Sequence, residues 1–137
     1  MTPFFIKTTG RWFMQNRESD LQGACVAWFR HTHPSHSKLL FSVPNGAYLH
    51  GSKIQRLKQW GRLRREGAVT GVSDLLLLVP NSRFHGLCIE MKTEAKHSHQ
   101  TPQQKEFERA VTGQNYEYII IRNFNDFKNT IKNYLHE

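Results

Sequence analysis

Two near-continuous apolar segments constrain this chain more than any other feature. Ser73–Val79 (SDLLLLV) and Leu87–Lys92 (LCIEMK) flank Pro80–Gly86, a stretch containing Pro, Asn, Ser and Gly. Short apolar runs bounded by turn residues read as strands, and this pair reads as a hairpin. Neither run alternates cleanly between apolar and polar residues. Both strands are therefore expected in the middle of a sheet, with cover on each face. The chain of 137 residues is long enough for one domain and needs neither disulfides nor a structural metal to fold. A single domain over residues 1–137 is expected, with 1–16 as an N-terminal extension carrying a short strand at Phe4–Ile6.

The remaining segments supply helices and outer strands. Glu18 to about His31 places Leu21, Ala24, Cys25, Trp28 and Phe29 at three- and four-residue spacing, an apolar helical stripe. Glu18 and Gln22 share one face of it. Lys38–Val43 reads as a strand, and Pro44-Asn45-Gly46 as a turn. Ser52 with Gln55 forms a capping box for a basic helix carrying Lys53, Arg56, Lys58, Arg62, Arg64 and Arg65. Gly61 is a candidate break in that helix and Gly67 its terminator. Thr101, Pro102 and Gln104 make a strong helix start, with Phe107, Ala110 and Val111 on the apolar side. Tyr116–Ile121 reads as a strand, and Asn123 caps a last helix carrying Phe127, Ile131, Tyr134 and Leu135. This order predicts a mixed α/β domain.

Charge narrows the partner. The formal net charge is +8 and the sequence pI is about 9.8. Such an excess suits a polyanion, most often nucleic acid, against the alternative of a basic but inert surface. The longest apolar run, Leu75–Val79, is too short to span a membrane. The N-terminus (MTPFFIKTTG) lacks the pattern of a signal peptide. Cys25 and Cys88 form no spaced motif and suit a reducing compartment, so a cytoplasmic location is expected.

Asp74, Glu90 and Lys92 are the residues that point to chemistry. Glu90 and Lys92 lie two apart on one strand and face the same way. If the hairpin pairs Val79 with Gly86, Asp74 falls opposite Met91, which brings the three side chains within about 5–8 Å. Two close carboxylates in a sheet interior repel each other and lose hydration. A divalent cation such as Mg²⁺ offsets both costs with hard oxygen ligands. Asp74 and Glu90 would supply oxygens, and the Met91 carbonyl a third. Lys92 is placed to orient a water or to offset charge in a transition state. The competing reading is a salt-bridged strand pair at a sheet end.

The ordered set Gly71-Val72-Ser73-Asp74, Ile89-Glu90-Met91-Lys92 and Thr101-Pro102-Gln103-Gln104-Lys105 resembles the VRR-NUC family of the PD-(D/E)xK nuclease superfamily. The resemblance extends through Gly67, through Val43-Pro44-Asn45-Gly46, and to Glu18 with Gln22. It implies a restriction-endonuclease-like fold, a central mixed β-sheet flanked by helices. It also implies a phosphodiesterase that cuts DNA with Mg²⁺ or Mn²⁺ and needs no small-molecule cofactor. Asp74 and Glu90 match the family's metal carboxylates, Lys92 its catalytic lysine, Glu18 an acid on the first helix that completes the metal site, and Gln104 a glutamine after the ExK strand. Ser73 departs from the pattern, which usually has proline there.

Compact members of this kind are associated with branched or Holliday-junction DNA and act as homodimers. The alternatives are a non-catalytic DNA-binding module of the same fold and a nuclease for linear or flapped duplex. With a DNA partner, Lys53, Arg56, Lys96, Lys105 and Arg109 become candidates for phosphate contact. Asn45 is either a turn former or a substrate-facing amide. His31, His33 and His36 lack the Cys or acid that would complete a zinc site. Trp12, Trp28 and Trp60 read as core or interface residues rather than base-stacking platforms.

Overall fold

In the computed structural model, which describes residues 5–8, 11–14, 17–43, 49–93 and 99–136, the two apolar segments form adjacent central strands. Numbered along the chain, the strands are β1 (Phe5–Thr8), β2 (Arg11–Met14), β3 (Leu40–Ser42), β4 (Leu75–Leu77), β5 (Leu87–Met91) and β6 (Glu117–Ile121). The helices are α1 (Arg17–Thr32), α2 (Lys53–Arg65), α3 (Pro102–Thr112) and α4 (Phe124–Tyr134). Asn45 and Lys96, considered above for substrate or DNA contact, lie outside the described residues.

The main sheet has the order β3-β4-β5-β6. β3 and β5 run antiparallel to β4, whereas β5 and β6 are parallel. A parallel pair needs a crossover, and α3 lies in that connection. The architecture is a mixed α/β sheet flanked by helices.

Side-chain alternation divides the sheet into two faces. Leu75, Leu77, Leu87, Ile89, Met91 and Ile121 all join one core cluster. Cys25 and Phe29 of α1, and Phe127, Ile131 and Tyr134 of α4, close over them. Fully burying one such large apolar side chain contributes about 1.5–3 kcal/mol. Trp28 meets Phe127 edge-to-face at 5.9 Å, so its expected core role is what is observed. The other face carries Cys88, Glu90 and Tyr118, and is the face where α3 supplies Gln104.

Several boundaries differ from those read in the sequence. The extension forms an antiparallel hairpin, β1 with β2, rather than one short strand. β4 ends at Leu77, and in the loop beyond it Asn81 Oδ1 accepts from the amides of Arg83 and Phe84. Pairing therefore closes at Leu77–Leu87, not Val79–Gly86, and the register is shifted by one residue. α2 runs straight through Gly61. A mid-helix glycine costs only about 1 kcal/mol, which one turn on either side can absorb. Ala110 is exposed, because α3 turns its Phe107–Val111 edge to the sheet. Among the described residues, no helix is long and apolar enough to cross a membrane.

Candidate active site

The corrected register improves the convergence of the polar groups. Leu75 and Leu77 point into the core, so Asp74, one residue before β4, falls on the opposite face. The pairs Leu75–Ile89 and Leu77–Leu87, extended by one position, set Asp74 beside Glu90. Asp74 Oδ2 accepts a hydrogen bond from the Met91 amide at 2.7 Å, which fixes the carboxylate at the end of the strand pair.

Glu90 is only 2% exposed and is held from several sides. Gln104 Nε2 donates to its Oε1 at 2.8 Å. Through its own Oε1, Gln104 also accepts from the Thr101 amide at 2.8 Å. One amide thus caps α3 and orients the carboxylate, because the capping box points the N3 side chain back across the helix start. Tyr118, which pairs with Cys88 across the parallel register, places its hydroxyl 3.4 Å from Glu90 Oε2. Gln100 Nε2 steadies that hydroxyl at 3.4 Å and donates to Glu108 at 3.0 Å.

Burial pushes the Glu90 carboxyl up to about 8, from an ordinary 4.5. The charge of Asp74 and a hydrogen bond with it act in the same direction, while Lys92 and the Tyr118 hydroxyl pull back. Burial also raises the Tyr118 hydroxyl, which stays a donor at neutral pH. A simple Glu90–Lys92 ion pair would instead hold the carboxyl low. Lys92 Nζ lies 3.8 Å from Glu90 Oε1, about 1 Å beyond a charge-assisted hydrogen bond. Lys92 is therefore a neighbour that does not neutralise the pair, and a demand for positive charge is left at Asp74 and Glu90.

That demand fits a hard divalent cation. Mg²⁺ commonly binds through one or two carboxylates and keeps several waters. In a strand, the N–H and C=O of one residue point to the same side, so Met91 turns its carbonyl toward Asp74 as well. Among the described residues, no group of three or more His, Cys, Asp and Glu is placed to hold a metal. The expected third acid, Glu18, therefore does not complete such a group with Asp74 and Glu90. It sits in the first turn of α1, where a negative charge suits the helix dipole.

A cleft of about 580 Å³ opens beside Asp74. Asp74, Thr101 and Gln104 form part of its wall, and Lys53 and Arg56 of α2 line it too. Lys105 is exposed and stands outside this lining. Trp60, expected in a core or interface, is half-buried and lines the cleft. Tyr118 was not legible as a site residue, because its role depends on β6 running parallel to β5 with Tyr118 beside Cys88.

Gly71 is a second residue whose role the sequence left unassigned. Its φ is +88°, and a Cβ there would come within 2.5 Å of the Gln103 carbonyl group and 2.8 Å of the Gln104 amide. The chain before Asp74 thus packs directly on the start of α3, with no room for a side chain. Gly71→Ala is expected to cost about 1–3 kcal/mol in denaturant unfolding. Gly23→Ala, on an exposed turn of α1 with open space around it, should be neutral or stabilising by about 1 kcal/mol. Equal effects from the two substitutions would remove the close-packing account. Ser73, two residues on, is 1% exposed, and its hydroxyl donates to the Leu75 carbonyl at 3.3 Å. The residue standing in place of proline is thus buried and satisfied.

No protein-family model and no curated protein matches the sequence. A search of solved structures finds a chain described as a "VRR_NUC domain protein". It superposes with a TM-score of 0.72 at 19% sequence identity, over 90% of this chain and 92% of the other. With its sheet order and crossover helix in place, this chain has the VRR-NUC fold.

Proposed function

We propose that this protein hydrolyses DNA phosphodiester bonds with Mg²⁺ or Mn²⁺, acting on branched DNA as a homodimer. The observation that carries the reading is a carboxylate pair, Glu90 buried and Asp74 half-buried, whose neighbouring amine offsets it only in part and whose Asp74 lines a cleft that Lys53 and Arg56 also line. Asp74, Glu90 and the Met91 carbonyl would hold the cation. When bound, a divalent cation makes coordinated water more acidic and draws charge from phosphoryl oxygens. Gln104 fixes the direction of Glu90 Oε1. Lys92, beside the same oxygen, is placed to orient the attacking water or to offset charge developing at phosphorus. Lys53 and Arg56, which line the same cleft, hold backbone phosphates. One such site cuts one strand, and a two-fold dimer presents a second to the other strand.

The test is a cleavage assay with Mg²⁺ and with Mn²⁺ on four-way junction, flap and linear duplex DNA. Wild type is expected to cut, and to cut the junction fastest. Lys92→Met should lower the single-turnover rate by about 10²-fold or more with DNA affinity retained. Binding without product on every substrate would instead identify a DNA-binding module of this fold. Equal rates on junction and linear DNA would remove the preference for branches. Sedimentation at the assay concentration reads the dimer directly.

A further inference from the structure

The cleft beside the carboxylates has a wall that phosphate chemistry does not use. Leu57, Trp60 and Val69 line it together with Lys53 and Arg56. Leu57 is 61% exposed and Val69 60%, and no residue of α2 is buried. A helix in water draws most of its stability from packing an apolar face. α2 instead turns apolar side chains toward an open cleft. Sugar-phosphate backbone calls for cations and hydrogen-bond donors, and offers little to an apolar wall. A second copy of this chain seated here would block Asp74 and Gln104, which share the cleft.

The occupant that satisfies both kinds of wall carries an anion next to a flat apolar face. We propose that the cleft receives one unstacked nucleotide adjoining the phosphodiester to be cut, a reading that rests on the nuclease function above. Its base packs against Leu57, Trp60 and Val69, and its phosphate lies between Lys53 and Arg56. Aromatic and apolar side chains hold unstacked bases in this way irrespective of base identity. The cost of leaving the stack is least for a nucleotide that is already unpaired. The substrate class is therefore DNA whose pairing or stacking is already interrupted at the cut, such as a bulge or the branch point of a junction.

Binding measured in EDTA separates this proposal from catalysis. Two duplexes of equal length are titrated with the full chain, one fully paired and one carrying a single-nucleotide bulge. The bulged duplex is expected to bind about tenfold tighter. Trp60→Ala and Leu57→Ser should each lower affinity for the bulged duplex more than for the paired one, shrinking the ratio to about twofold or less. Leu57 is exposed, so its substitution reads the cleft even where Trp60→Ala unsettles α2. Equal affinity for the two duplexes, or an unchanged ratio in both variants, overturns the proposal. Absence of cleavage in Mg²⁺ overturns the nuclease reading alone, because the bulge preference is read without metal.

Discussion

Glu90→Gln is expected to abolish DNA cleavage while making the metal-free protein more stable at pH 8. The two effects share one cause. Glu90 is almost wholly buried next to Asp74, so its ionised form is disfavoured in the fold. An amide of the same shape removes that charge. Its oxygen can still accept from Gln104 Nε2, and its nitrogen can donate to Asp74 or to the Tyr118 hydroxyl, so no polar atom is stranded. What disappears is an anionic oxygen for the cation. Loss of several kcal/mol of transition-state stabilisation corresponds to about 10³-fold or more in rate. Asp74→Asn should behave alike in rate, since its amide oxygen can keep the Met91 N–H bond that shapes the strand end. DNA affinity in EDTA should be unchanged in Glu90→Gln, whose carboxyl is buried and protonated below about pH 8, and unchanged or slightly tighter in Asp74→Asn, which removes a negative charge from the cleft wall. Single-turnover kinetics and denaturant unfolding of the same preparations check both halves. Residual cleavage within tenfold of wild type would show that these carboxylates are not the metal site.

The parts of this fold written in local patterns were legible without coordinates. The capping boxes at Ser52 and Thr101 occur as expected, each with both reciprocal bonds formed. The Asn123 cap is present, and Phe127, Ile131 and Tyr134 are buried where their spacing placed them. The central position of the apolar strands followed from their lack of alternation. Hairpin register was not legible to one residue, because it depends on how the loop after Leu77 folds back, including the Asn81 side chain that accepts from the Arg83 and Phe84 amides. Tyr118 was missed, and Gly71 was quoted in a motif without a role, for the same kind of reason. One matters through a parallel pairing with β5 and the other through contact with the α3 backbone, and neither relation has a local sequence signature. Glu18 shows the converse. Its place at a helix start was read correctly, but a helix position does not determine which strand end the side chain reaches.

The stability of the metal-free protein should fall as pH rises from about 5 to 8, and Mg²⁺ should reverse the trend. The Glu90 carboxyl holds its proton to about 8 in the fold but has an ordinary value of 4.5. Between those two values the folded state binds more protons than the unfolded chain, so unfolding becomes easier with each step up in pH. The contribution is fully present below the unfolded value and is lost as pH passes the folded one. Its size is of the order of a few kcal/mol. Metal binding requires the ionised carboxylate, so affinity should rise across the same range. The Mg²⁺-induced increase in Tm should therefore be small at pH 6 and several degrees at pH 8.5. Other groups titrate in this window, but the difference between wild type and Glu90→Gln isolates Glu90. That variant should show a flatter pH dependence and no Mg²⁺ shift. An equal Mg²⁺ shift at pH 6 and pH 8.5 would mean that the ion binds elsewhere, since only a site built on the protonated carboxyl must compete with its proton.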